Sequence, residues 1–141
     1  MPKFKGSCHC GKLRLTFVSP SKAAALPVRE CGRSFCRKHG ARTMTAPAGT
    51  AMIEAEPGAL NAYQFGLGTA DFLVCNGCGA YMGAFFDDAG TSYATLNINV
   101  FDDRLDFSQP AASADYGAED AEGRKVRRRA RWTPATLKHL T

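Results

Sequence analysis

The chain has 141 residues, 45% of them apolar and 22% charged, with a formal net charge of +5. That is the composition of one soluble domain with a real core. No stretch approaches the roughly 18 apolar residues of a membrane helix, and Met1 to Gly6 carries lysines with no apolar run behind them, so neither a membrane helix nor a secretory leader is expected. A cytoplasmic location is expected. The positive charge is local: Arg124 to Arg131, "RKVRRRAR", holds six basic residues and no acid, which leaves a net −1 for all the rest.

In chain order, Lys12 to Val18 alternates, with Leu13, Leu15 and Phe17 on one face, the pattern of a half-buried strand. Ser19 to Lys22 is a turn. Thr50 to Glu56 alternates again and stops at Pro57-Gly58. Leu60 to Phe65 is followed by the turn Gly66-Leu67-Gly68. "TADFLV" then runs straight into Cys75. Ala80 to Phe86 leads to the hairpin loop Asp87-Asp88-Ala89-Gly90. Thr91 to Phe101 alternates through Ala94, Leu96, Ile98 and Val100. Five or six short strands with glycine-rich turns predict a mainly β domain with few short helices. One helix is expected over Pro134 to Leu140, with Thr133 as N-cap and Pro134 at the first helical position. Residues 108–123 are small, polar and acidic and read as a linker. The expected organisation is a β domain over residues 1–107, then 108–141 as linker, basic segment and short helix.

The six cysteines need a reason, and in a reducing compartment that reason is more often metal or catalysis than disulfides. Two local patterns match: Cys8-His9-Cys10-Gly11 and Cys75-Asn76-Gly77-Cys78-Gly79. Each is a close cysteine pair followed by glycine. A tight turn aims two thiolates at one ion, and the small residues let backbone N–H groups approach the sulfurs. Zinc takes four such ligands in a tetrahedron. Iron in a rubredoxin-like site is the other metal that accepts four thiolates. A thioredoxin-like redox pair at Cys75 and Cys78 normally opens a helix, whereas strand-like sequence follows here. Two disulfides remain the third alternative. The pattern favours one structural zinc on Cys8, Cys10, Cys75 and Cys78, with His9 as a spacer.

Beyond these motifs, "GSCHCGKLRLTF", a segment ending "SFCRKHGA", "YQFGLGTADFLVCNGCGAYMGA" and "NINVFDD" follow one another at a characteristic spacing. Together, over roughly residues 5–107, they resemble the glutathione-dependent formaldehyde-activating enzyme (GFA) family, which includes the conserved part of centromere protein V. The resemblance implies a small zinc-bound β-sheet domain of the Mss4-like type. It implies structural zinc on the same four cysteines. It also implies a carbon–sulfur lyase that joins formaldehyde to glutathione as S-hydroxymethylglutathione, or runs the reverse reaction. Members carry a second zinc on a C-x-C-x-x-C segment.

Aligned on that segment, the three ligands fall on Cys31, position 33 and Cys36, and position 33 is Arg33. A guanidinium stays protonated and has no lone pair for a metal. Its charge repels Zn²⁺ and favours a neighbouring thiolate. Three readings follow. His39 or Glu30 completes a rearranged site; or the site is empty and the protein is a zinc-stabilised scaffold; or Arg33 replaces the ion as the local positive charge and binds an anionic group of the ligand. A weak or absent second zinc covers the last two. Cys31 and Cys36 are then the candidate catalytic thiols and Arg33 the candidate ligand-binding residue. The expected partner is a small thiol or glutathione adduct, and the alternative to a lyase is a non-enzymatic binding domain.

The basic run with Trp132 behind it has the features of a nucleic-acid contact, but charge runs are more often solvated, so nucleic acid is not the expected partner.

Overall fold

The computed structural model describes residues 1–114 and 118–141. The strands are β1 (Lys3–Ser7), β2 (Leu13–Val18), β3 (Arg29–Cys31), β4 (Thr43–Met44), β5 (Thr50–Ala55), β6 (Leu60–Tyr63), β7 (Asp71–Cys75), β8 (Tyr81–Asp88), β9 (Thr91–Asn97), β10 (Ala112–Ala114) and β11 (Thr133–His139). The helices are α1 (Ser34–Lys38) and α2 (Ala121–Arg131), with three short 3₁₀ turns. The protein is therefore mainly β, as the alternating patterns predict. No helix among the described residues is long and apolar enough to cross a membrane.

The strands form one mixed sheet in the order β1-β2-β5-β11-β9-β4-β3-β10, and β8, β7 and β6 continue from the other edge of β9. The alternation seen in the sequence sets the faces. Leu13, Leu15 and Phe17 of β2 and Ala51, Ile53 and Ala55 of β5 are buried on the same side, where Leu15 pairs with Ile53. Phe4, Phe17, Phe101 and Phe107 stack there with ring centroids 5.1–6.4 Å apart. A second, smaller apolar cluster gathers Cys36, Phe72, Tyr81, Ala84, Phe86 and Trp132.

Two expectations for the C-terminal part are corrected. Residues 134–140 do not form a helix. Thr133–His139 is a strand, parallel to β5 from Ala135 to His139 and antiparallel to β9 at Thr133 and Pro134. The Thr-Pro pair that suits a helix start also suits a strand start, because proline, having no N–H, is tolerated at the first positions of a strand. Tertiary pairing decides: β5 and β9 leave a gap that this segment fills, with Ala135 and Leu137 packed on the core. Nor is the basic run a solvated tail. It is α2, capped by Asp120, whose side chain accepts from the Gly123 N–H at 2.7 Å. In the stretch expected to be a linker, Ala112–Ala114 pairs with β3; residues 115–117 of it lie outside the described residues.

Candidate metal centre and arginine-lined pocket

The two cysteine turns converge. One connects β1 to β2 and the other connects β7 to β8. Each closes on itself in the same way: the Gly11 N–H donates to the Cys8 carbonyl at 3.2 Å, and the Gly79 N–H to the Cys75 carbonyl at 2.9 Å. Both glycines have left-handed backbone, φ 84° and 80°, which residues with a Cβ rarely adopt. Amides point at the sulfurs, Leu13 N–H to Cys8 Sγ and Gly77 N–H to Cys75 Sγ, each at 3.3 Å.

All four Sγ atoms, of Cys8, Cys10, Cys75 and Cys78, lie within 4.8 Å of one another. Cys8 to Cys10 is 3.6 Å and Cys10 to Cys75 is 3.5 Å. Four thiolates about 2.3 Å from one zinc stand about 3.8 Å apart at the corners of a tetrahedron, so this donor set fits such an ion without rearrangement. The sulfurs are not equivalent. The Cys10 N–H, then the Ala80 N–H, pull Cys78 down to about 6. Cys10 is drawn down by the Lys12 N–H but raised further by its hydrogen bonds to other thiols and by burial, to about 11. The four cysteines could therefore hold a metal ion.

The third pair lies elsewhere. Cys31 ends β3, Arg33 caps α1 in extended conformation, and Cys36 sits one turn into α1, buried. All three line one cavity of about 50 Å³. Arg29, two residues before Cys31 on β3, adds to this wall, and the others come from distant parts of the chain: Tyr81 of β8, and Arg127, Arg128 and Trp132 at the end of α2. The sequence brought Cys31, Arg33 and Cys36 together but gave no sign of the α2 arginines. The signal was present in their spacing. Arg124, Arg127 and Arg128 fall on one helical face, while Val126 faces water at 55% exposed, the reverse of an ordinary amphipathic helix.

Arg128 is 1% exposed. Its Nη1 donates to the Thr69 carbonyl at 3.0 Å and to Thr69 Oγ1 at 2.7 Å. Its guanidinium lies 4.8 Å from the Trp132 ring centroid and 5.7 Å from that of Phe86. The Gly66-Leu67-Gly68 turn leads to Thr69, which holds Arg128 from behind. Burial lowers Arg128 to about 10, and the neighbouring Arg33, Arg127 and Arg124 charges add to the effect. Trp132 is buried in the wall rather than offered for stacking on a base.

Between the two thiols, Cys36 donates to Cys31. That hydrogen bond, the Arg33 N–H, and the Arg33 and Arg127 charges outweigh burial and bring Cys31 down to about 6. The same hydrogen bond, then burial, raises Cys36 far above the ordinary thiol range. Cys31 is thus a thiolate at neutral pH, with a protonated thiol beside it. In the folded protein its alkylation by iodoacetamide should proceed at close to full rate at pH 7 and fall as pH drops through about 6. An ordinary cysteine loses its rate already near 9. Labelling followed by peptide mapping across pH 5–9 checks this; a midpoint near 9 contradicts it.

A second zinc does not fit this pair. His39 is exposed, with Nδ1 at 3.0 Å from the Phe35 carbonyl and its ring against that of Phe35, centroids 4.4 Å apart. Glu30 is exposed on β3. Neither joins Cys31 and Cys36 in a three-donor group among the described residues. What surrounds the two sulfurs is positive charge, which repels a cation.

No protein-family model matches the chain, and no curated protein matches it. A solved structure does. It is a Rhodobacter sphaeroides protein determined as a Northeast Structural Genomics target, 26% identical, with a TM-score of 0.57 over 78% of this chain and 99% of that one. The β architecture described above is thus shared with an experimentally determined fold.

Proposed function

We propose that the protein is a zinc-stabilised β domain of the GFA type, with the zinc on Cys8, Cys10, Cys75 and Cys78. In this reading the arginine-lined pocket takes a small thiol and its aldehyde adduct and acts as a carbon–sulfur lyase. One observation carries it: Cys31, Arg33 and Cys36 line one cavity, and Cys31 is held there as a thiolate by Cys36. The Cys31 thiolate accepts the proton of the bound glutathione thiol. The glutathione sulfur then forms a bond to the formaldehyde carbon, and the carbonyl electron pair moves to oxygen. That oxygen takes the proton back from Cys31, giving S-hydroxymethylglutathione; the reverse sequence is the lyase direction. Arg33 faces the developing negative charge on oxygen, the role a second zinc plays in the resemblance. The substitution at position 33 favours a second reading, a binding domain without catalysis.

Incubation with glutathione and ¹³C-formaldehyde, followed by NMR, separates the two. Adduct formation should exceed the uncatalysed rate and should fall by about 10²-fold or more in Cys31→Ser, the scale of a lost general base. A wild-type rate equal to buffer, from protein that is folded and zinc-loaded, leaves the binding-domain reading.

A further inference from the structure

Four arginines, Arg29, Arg33, Arg127 and Arg128, line the pocket, and among the described residues that line it none carries a carboxylate. Glu119 offsets one from outside, meeting Arg127 Nε and Nη2 at 3.0 Å. The Cys31 sulfur, whose thiolate form the Cys36 thiol and the Arg33 charge favour, offsets part of the remainder, and positive charge still predominates among the described residues of the wall. Like charges held together away from water repel one another strongly.

Two donors add an independent sign. Tyr81 Oη and Arg128 Nε are both buried and, among the described residues, both without a hydrogen-bond partner, and their residues, 2% and 1% exposed, line this cavity. Burial above all raises Tyr81 well above its ordinary range, so its hydroxyl keeps its proton to donate. Buried donors nearly always find an acceptor, and an orphaned pair in one cavity points to an acceptor that arrives from outside.

The donors approach from β8, from α2 and from the turn before α1. A planar carboxylate offers two oxygens in one plane, whereas a tetrahedral oxyanion offers oxygens in every one of these directions. The cavity has room for about four waters, which is the size of one such anion; any larger part of a ligand would lie outside its mouth.

We propose that this pocket is a binding site for a compact tetrahedral oxyanion of the phosphate class, free or as the end group of a phosphate monoester, with Tyr81 Oη, Arg128 Nε and the Arg33 guanidinium as its donors. The negative charge of a phosphate suits a wall in which arginines predominate. The site is independent of the lyase reading, since it asks only for these donors and no chemistry at carbon or sulfur.

Calorimetric titration of the zinc-loaded full chain tests it, with inorganic phosphate, glycerol 3-phosphate and acetate compared at matched ionic strength. Phosphate or the monoester should bind saturably, at least tenfold tighter than acetate. The tighter of the two identifies the source, the free ion or an ester. Tyr81→Phe should weaken binding about tenfold, as for a lost hydrogen bond to a charged group. The free variant should melt no lower than the wild type, because the change removes an orphaned hydroxyl. Arg33→Gln, on a half-exposed turn, should weaken binding at least as much. Bound phosphate should also slow iodoacetamide labelling of Cys31 saturably, which localises it to this cavity. Phosphate binding no tighter than acetate overturns the proposal, and so does phosphate binding that both variants leave unchanged.

Discussion

Serine in place of Cys78 should leave the protein unable to hold its fold. The four sulfurs come from turns 65 residues apart, between Cys10 and Cys75, and an ion bound by all four would clip the β1–β2 hairpin to the β7–β8 hairpin. Such a site does not exist in the unfolded chain, so its binding free energy, on the order of 10 kcal/mol or more for structural zinc, is folding free energy. A domain of this size has about 5–15 kcal/mol in all. Elemental analysis should give about one zinc per chain in the wild type and almost none in Cys78→Ser, which should be insoluble or lack a cooperative melt. A chelator should unfold the wild type likewise, and more readily in acid, where protons compete with the ion for the thiolates. A soluble Cys78→Ser variant with the wild-type melting temperature would show that the clip is not metal.

Cysteine in place of Arg33 should raise the metal content from about one to about two per chain. Two thiols with a guanidinium between them repel a cation, while a third thiolate in its place completes a set of three protein ligands with one open position. Position 33 lies on the turn between β3 and α1, flanked by the two existing thiols, and Arg33 is only half-buried there, so the change costs little packing. The second ion should mask Cys31, slowing its alkylation at least about tenfold, because a coordinated thiolate is no longer free to attack. A count that stays at one, with Cys31 still reactive, would show that residues 31–36 are not a metal loop lacking one ligand.

How much of this was legible depends on whether the cause was local. Cys-x-Cys-Gly and Cys-x-x-Cys-Gly state their own turn chemistry, so the four-sulfur cluster could be read before any fold was known. Strands β2, β5 and β9 announce themselves by alternation, since each has one face in the core. β11 does not. Thr133-Pro134 carries a helix-start signal, and only the gap between β5 and β9, set by residues more than 30 positions away, makes the segment a strand. The arginines of α2 mislead for a related reason. Charge predicts water, and Arg128 leaves water only because Thr69, Phe86 and Trp132 assemble around it from three separate places. Tyr81 sits in an apolar strand pattern that says nothing of its hydroxyl, which is seen to be unmet among the described residues only in three dimensions.

The position of β11 matters most while the protein is being made. A ribosome delivers β5 and β9 well before residues 133–139, so the nascent chain waits with two facing strand edges unpaired and the apolar surface beneath them open. Parallel pairing over so long a separation is slow to form, and exposed edges recruit other chains. The cysteine turns, by contrast, are complete once Cys78 has emerged. Metal can therefore fasten the N-terminal hairpins together during synthesis and hold the slot in register until the late strand arrives. In cells starved of zinc, newly made copies should then be lost to aggregation during translation.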